Sequence, residues 1–235
     1  GGRRVTGRRR GGGGSRGDAG QRTCPSPAGV TAISLSQDRQ PGALVLRRHG
    51  ETEWSRSGRH TGLTDIALTA RGDELGARTG ELFTGYAFSL VLTSPLQRAR
   101  RTARLAGLVD AAIDDNLMEW DYGGYEGLTT NEISERVGHP WTVFDDGVIP
   151  GATPGESIEE VAARCRKVID RAAPFLATGD VALVGHGHCL RILATVFLRQ
   201  EPRLGVQLLL DAGSVSVLRT ERETPVIQSW NRALQ

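Results

Sequence analysis

An Arg-His-Gly-Glu-Thr run, Arg48 to Thr52, closes the chain's first apolar segment, and a second His-Gly pair, His186-Gly187, closes a later one, Val181 to Gly185. An imidazole can attack an electrophile as a nucleophile. A guanidinium holds the oxygens of an anion in a planar fork. Glycine lets the backbone turn sharply and approach a ligand. Either pair alone reads equally as an ordinary turn carrying a histidine, but their recurrence in matching contexts points to one site acting on an anion. Two further segments offer complementary groups. Thr93-Ser-Pro-Leu-Gln-Arg98 follows another apolar run. A helix starting near Pro95 puts Arg98 in its first turn, where free backbone N–H groups already favour an anion. The neighbouring Arg100, Arg101 and Arg104 read as exposed helix arginines. The segment Glu119-Trp-Asp-Tyr122-Gly-Gly-Tyr-Glu126-Gly127 combines acids, aromatics and glycine, which suits a binding loop. A carboxylic acid beside aromatics can serve as a proton donor. The residues themselves do not choose among Glu119, Asp121 and Glu126.

Regular elements must hold these groups in place. From Ala43 onward strand-like and helix-like stretches alternate. Ala43–Arg48, Phe88–Thr93 and Val181–Gly185 read as strands, with Val215–Arg219 and Val226–Ser229 as closing strands. Thr69 caps a helix running to about Phe83, and Pro95 opens one through about Leu105. Ser157 and Glu160 form a capping-box signature before a helix with Val161, Cys165, Val168, Ile169 and Ala172 on one face. His188–Leu198 reads as a helix. The alternation predicts an α/β three-layer sandwich, a mostly parallel central sheet with helices on both faces. Ligands in such sheets sit at the carboxyl ends of the strands, where both His-Gly pairs fall. There is no internal repeat, and residues 42–235 read as one domain.

Composition narrows the class. A chain of 235 residues can bury a real core, and its hydrophobic and charged fractions of 38% and 24% are those of a soluble globular protein. No apolar run approaches the roughly 20 residues that span a membrane, so no membrane partner is expected. Cys24, Cys165 and Cys189 are odd in number and share no metal-ligand spacing, which suits a reducing cytoplasm. The net charge of +2 hides an asymmetry: residues 1–41 carry eight arginines against two aspartates, and the rest carries 21 basic against 25 acidic residues. The stretch Gly1–Gly20 is Gly/Arg-rich and nearly free of apolar residues. Residues 1–41 are therefore expected to form a disordered extension. It lacks the apolar stretch of a signal peptide. A nucleic-acid-binding arm is the weaker reading of it, since no aromatic residue interleaves the arginines. Arginine outnumbers lysine 28 to 1, which reads as genomic bias.

Several stretches together carry a family resemblance: Arg48-His-Gly-Glu-Thr-Glu-Trp-Ser55, Gly58-Arg-His-Thr-Gly-Leu-Thr-Asp65, Glu119-Trp-Asp-Tyr-Gly-Gly-Tyr-Glu-Gly127, Gly185-His-Gly-His188 and Leu210-Asp-Ala-Gly213. From about Ala43 to Trp230 the chain resembles the histidine phosphatase superfamily, also called phosphoglycerate-mutase-like. Within it the chain is most similar to small bacterial acid phosphatases and to sedoheptulose-bisphosphatase-like sugar phosphatases. The resemblance implies a phosphoric monoester hydrolase acting on a small phosphorylated metabolite, a sugar phosphate among them. It implies His49 as the nucleophile that becomes phosphohistidine. Arg48, Arg98 and His186 would surround the phosphoryl group, with His186 protonated. Glu119 would protonate the leaving oxygen and then activate water. Tyr122 would line the pocket, and Ser55, Thr61, Gly62, Gly187 and His188 would contact phosphate or substrate. It implies no metal and no other cofactor, and it leaves room for a homodimer.

Some positions depart from the family's pattern. Arg47 stands where an apolar residue is usual, and alternation along the strand turns it away from Arg48. Ser55 stands where asparagine is common. The mutases' lysine after the Tyr-Gly-Gly loop is replaced by Thr129-Thr-Asn131, and Gly138–Gly151 lacks their arginine pair. Those cations hold a substrate carboxylate and second phosphate, so their absence favours hydrolysis. A phosphoglycerate mutase is the first alternative, and a non-catalytic phospho-ligand-binding or regulatory protein the second. A His186-x-His188 metal pair lacks a third ligand. Cys189 reads as a buried structural thiol. His60 is a candidate ligand contact and His139 a surface residue.

Overall fold

Side-chain alternation along the first strand sets the layers. In the computed structural model, which describes residues 1–2 and 41–233, this strand, β1, spans Leu44–Arg48. The chain continues through α1 (Glu53–Ser57), α2 (Ala70–Arg78), β2 (Phe88–Thr93), α3 (Gln97–Leu105) and β3 (Ala112–Ile113). Then follow α4 (Thr130–Val137), α5 (Val143–Asp146), α6 (Ile158–Leu176), β4 (Asp180–Gly185), α7 (Gly187–Phe197), β5 (Val215–Glu221) and β6 (Thr224–Arg232). The six strands form one sheet in the order β3-β2-β4-β1-β5-β6. The first four run parallel, β5 pairs antiparallel with β1 and β6 antiparallel with β5, so the sheet is mostly parallel as expected.

Leu44 and Leu46 of β1 join Val181 and Leu183 of β4 in a core built against α6 and α7 through Val161, Cys165, Val168, Leu190 and Leu193. Val45, Ala182, Val184 and Val215 face the other way, onto Ala99 and Ala103 of α3 and onto Phe83. Helices thus cover both faces of the sheet. The described residues 41–233 belong to one compact unit. The expected disordered extension falls on residues 3–40, outside those described apart from its ends. Among the described residues no helix is long and apolar enough to cross a membrane.

Local chemistry sets most boundaries. Ser157 and Glu160 form the capping box expected at the start of α6. The helix predicted from Thr69 to about Phe83 is instead α2 followed by a tighter 3₁₀ turn, Thr79–Phe83. At the junction the Thr79 hydroxyl bonds the Leu75 and Gly76 carbonyls at 3.1 and 2.7 Å, a back-bond that bends helices. Helix α3 starts two residues later than Pro95, with Gln97 N donating to Asp65 Oδ1 at 2.8 Å. Helices α4 and α5 were not foreseen. The Thr129–Thr130–Asn131 stretch opens α4, and Thr129 and Glu132 cap it reciprocally.

Candidate active site

Strand register brings the two histidines together. Arg48 of β1 pairs with Gly185 of β4, so His49 and His186 each lie one residue past adjacent strand ends. Their ring centroids are 5.1 Å apart. His49 N donates to Gly185 O at 2.9 Å. The His49 ring places Nδ1 2.7 Å from Gly50 O. A carbonyl only accepts, so Nδ1 carries the proton and Nε2 keeps its lone pair. Burial, then Arg98 and Arg48, hold the His49 pKa well below 6.5. The ring is therefore a neutral imidazole.

A cavity of about 170 Å³ opens at this strand end. Arg48, His49, Ser55, Thr61, Glu119, Tyr122, Gly187 and His188 line it. Arg48 donates from Nη1 to Leu210 O, while its Nε is buried without a partner among the described residues. Such a donor is costly to leave empty and suits an incoming anion. The Glu119 carboxylate is 5% exposed. It accepts backbone N–H bonds from Trp120 (2.9 Å), His188 (3.0 Å) and Cys189 (2.8 Å). The last two donors are free N–H groups of the first turn of α7, a natural seat for a negative group. Tyr122 OH and His188 Nδ1 are 2.5 Å apart. Burial raises the Tyr122 pKa well above 10 and lowers that of His188 well below 6.5, so both stay uncharged at neutral pH. Ser55 Oγ accepts from Thr52 N at 2.9 Å and donates to Thr52 O at 3.0 Å, within the cap of α1.

Three predicted site residues lie behind the cavity wall instead of on it. Arg98, with no solvent exposure, donates from Nε to His186 Nδ1 at 3.2 Å, from Nη1 to Thr64 O at 2.8 Å, and from Nη2 to Thr61 O and Gly62 O at 3.2 and 2.8 Å. His186 accepts that bond at Nδ1, so its proton sits on Nε2, 2.7 Å from Ser94 Oγ. The expected protonated His186 is therefore corrected to a neutral one: burial and then Arg98 lower its pKa well below 6.5. With both ring nitrogens engaged, His186 cannot also ligate a metal. Among the described residues no cluster of three or more His, Cys, Asp or Glu could hold one. Gly62 spends its N–H on Glu126, 2.9 Å from each carboxylate oxygen. A Cβ there would sit 2.6 Å from Glu126 Oε2 and from Trp120 O, so glycine is required for packing. Glu126 thus anchors the loop and does not face the substrate, and Asp121 accepts N–H bonds from Gly123 and Gly155 at 3.0 and 3.2 Å.

Sequence reasoning missed Arg59, Arg191 and Leu210, which also line the cavity, and foresaw His60 there. The mutase-type lysine and arginine pair are absent from their positions, but two other cations, Arg59 and Arg191, line the cavity. Arg191 lies three residues past His188 on the same face of α7, and that spacing was the available signal. Arg47 points to the opposite sheet face from Arg48, as alternation required. It is fully buried, bonds Thr79 Oγ1 at 2.6 Å, and leaves Nε and Nη1 unpartnered among the described residues. Cys189 is a buried thiol, 3.9 Å from Cys165 Sγ. His139 lies on the surface, with its side chain 52% exposed.

The comparisons agree with this geometry. Residues 44–233 match the model of the histidine phosphatase superfamily, branch 1. An acid phosphatase of Mycobacterium tuberculosis is 36% identical over 176 residues, 74% of this chain and 84% of that protein. A sedoheptulose 1,7-bisphosphatase of Saccharomyces cerevisiae is 34% identical over 189 residues, 69% of this chain and 68% of that protein. A solved open-reading-frame product of Mycobacterium tuberculosis superposes with a TM-score of 0.77 at 33% identity, covering 82% of this chain and 98% of the other. With the paired strand-end histidines, the flanking arginine and these matches, the chain belongs to the histidine phosphatase superfamily and is an enzyme of its phosphatase kind.

Proposed function

We propose that the protein is a metal-independent phosphomonoesterase that hydrolyses small phosphorylated metabolites, sugar phosphates among them, through a phosphohistidine on His49. The observation that carries the reading is the His49 tautomer. Its Nδ1 proton is given to Gly50 O, and its Nε2 lone pair is free beside Arg48, whose Nε lacks a partner. Nε2 attacks phosphorus, the bond to the leaving oxygen breaks, and Glu119, protonated by the proton that a phosphomonoester monoanion brings in, delivers it to that oxygen. Water then attacks phosphorus as Glu119 takes its proton, and the P–N bond breaks with its electron pair returning to Nε2. A loose phosphoryl transition state asks mainly for positioning and positive charge. Arg48 supplies both at the cavity wall, and Arg98 adds its field from behind while fixing His186.

The test is phosphate release from a panel of sugar phosphates, phosphoglycerates and an aryl phosphate. His49→Ala should abolish release and remove an acid-labile, base-stable phosphoenzyme. Phosphate trapped on serine or cysteine, or full activity in that variant, would reject the mechanism. Glu119→Gln should slow hydrolysis strongly while an aryl phosphate, with its good leaving group, still phosphorylates His49. Rapid formation of 2-phosphoglycerate from 3-phosphoglycerate without free phosphate would identify a mutase instead.

A further inference from the structure

Glu119 can serve as acid and base only if its oxygens are aimed, yet its backbone lies in irregular chain between β3 and α4. Carbonyls of such a segment need donors from elsewhere. Two of them meet one side chain, Arg164 of α6. Its Nη1 donates to Met118 O at 2.6 Å and to Asn116 O at 2.9 Å. Helical side chains lean toward the helix N-terminus, so Arg164 also reaches Glu156, just ahead of α6. Its Nε and Nη2 meet Glu156 Oε1 and Oε2 at 2.8 and 3.0 Å, a two-point pairing that fixes the plane of the guanidinium.

Glu156 takes hold of the same segment from its other end. Its Oε2 accepts from Asp121 N at 3.0 Å, and its carbonyl accepts from Trp120 Nε1 at 2.8 Å. Its own N–H donates to Asp121 O at 3.0 Å. The pair thus grips the chain immediately before Glu119, at Met118, and immediately after it, at Trp120 and Asp121. Arg164 also touches the seat of the carboxylate. Cys189 Sγ lies 3.4 Å from Nη1, and Cys189 N is one of the donors to Glu119. One cation therefore sets both the chain that carries Glu119 and the helix turn that receives its carboxylate. The Arg164 and Glu156 side chains are only 12% and 24% exposed, and neither residue lines the cavity.

We propose that Arg164, held by Glu156, is a positioning residue for Glu119. It sets the carboxyl group where a proton can pass to the leaving oxygen and later be taken from water, without touching substrate itself. The proposal rests on Glu119 serving as that acid and base. A misplacement on the order of 1 Å, caused by a residue away from the chemistry, can cost about 10²-fold in rate. General acid catalysis as a whole contributes roughly 10²–10⁴-fold. Loss of the clamp should therefore cost about 10- to 10²-fold where the acid matters. A residue that serves packing alone would lower stability and slow every substrate alike.

The experiment compares kcat/KM for phenyl phosphate and 4-nitrophenyl phosphate in the wild type, Arg164→Met, Arg164→Lys, Glu156→Gln, Glu119→Gln and the double variant Arg164→Met/Glu119→Gln. Phenolate is the poorer leaving group and depends more on the acid. Arg171→Gln is the control, since Arg171 ties the same helix to Asp114 at 2.8 Å, ahead of the Glu119 segment. Arg164→Met should lose about 10- to 10²-fold on phenyl phosphate and several-fold less on 4-nitrophenyl phosphate, and Arg164→Lys should recover part of the loss. In the Glu119→Gln background the same change should cost little more, because residues acting through one group are not additive. Arg171→Gln should leave the ratio between the two substrates at its wild-type value. If Arg164→Met fails to fold by circular dichroism, Arg164→Lys and Glu156→Gln carry the same cycle. No loss, equal losses on both substrates, or losses that multiply in the double variant would overturn the positioning role while leaving the phosphatase reading intact. A Glu119→Gln enzyme as fast as the wild type on phenyl phosphate would overturn the acid–base reading and the proposal with it.

Discussion

His49 is made a nucleophile by what surrounds it rather than by its own chemistry. Burial, Arg98 and Arg48 each disfavour its charged form, so its pKa lies well below 6.5. The working form is the neutral one, and protonation would remove the Nε2 lone pair. Protonation occurs only below the lowered pKa, so kcat/KM should hold as pH falls through 6.5 and decline only well beneath it. A pH profile of kcat/KM with an aryl phosphate reads this directly, since that ratio reports the free enzyme. An acidic limb centred near 6.5 would describe an ordinary exposed imidazole and contradict the buried site. Glu119 follows the same logic: three backbone donors fix its position, so even the shorter carboxylate of aspartate would lose alignment with the reacting oxygen.

At the scale of elements, α3 acts through its first turn. Arg98 ties together the carbonyls of Thr61, Gly62 and Thr64 and the His186 ring. Its loss frees the loop carrying Thr61 and removes charge behind His49. Arg98→Ala should therefore lower kcat by about 10² or more, as loss of one transition-state donor does. Arg101, exposed and paired with Asp73 at 3.1 Å, should tolerate alanine with little change in turnover. Comparable losses at both positions would contradict the buried role of Arg98. The contrast also shows what was legible beforehand. Strand ends, the α6 cap and the turning of Arg47 away from Arg48 follow from local pattern, and Arg98 falls in the first turn of its helix as spacing requires. Whether Arg98 faces ligand or loop depends on how residues 58–65 fold back onto Glu126, a contact between segments over sixty residues apart. Arg59 and Arg191 reach the cavity for the same non-local reason. Helices α4 and α5 bury only one and two residues, too few to leave a clear periodic signal.

Across the whole molecule, buried neutral histidines set the response to acid. His49, His186 and His188 have pKa values well below 6.5, and His60 sits at about 4. The unfolded chain binds protons near 6.5 while the folded one resists them, so it holds more protons in that window. The stability these groups contribute is complete above 6.5 and is lost as pH falls toward 4 and below. Urea midpoints measured between neutral pH and pH 4 should fall steadily. A flat dependence would mean that the histidines titrate alike in both states.

Arg47 gives the molecule room for improvement in heat tolerance. Its guanidinium is fully buried, with Nε and Nη1 unpartnered and its pKa drawn down to about 10 by desolvation. The hydroxyl it touches, on Thr79, retains the Leu75 and Gly76 carbonyls. An apolar side chain of similar length would remove an uncompensated charge without orphaning a donor. Buried ionic groups replaced in this way commonly gain about 1–4 kcal/mol, and each kcal/mol raises Tm by roughly 2–4 °C in a domain of this size. Arg47→Met should therefore melt several degrees higher with phosphatase turnover retained, a thermal scan being the measurement, and selection for growth at elevated temperature should find this position early.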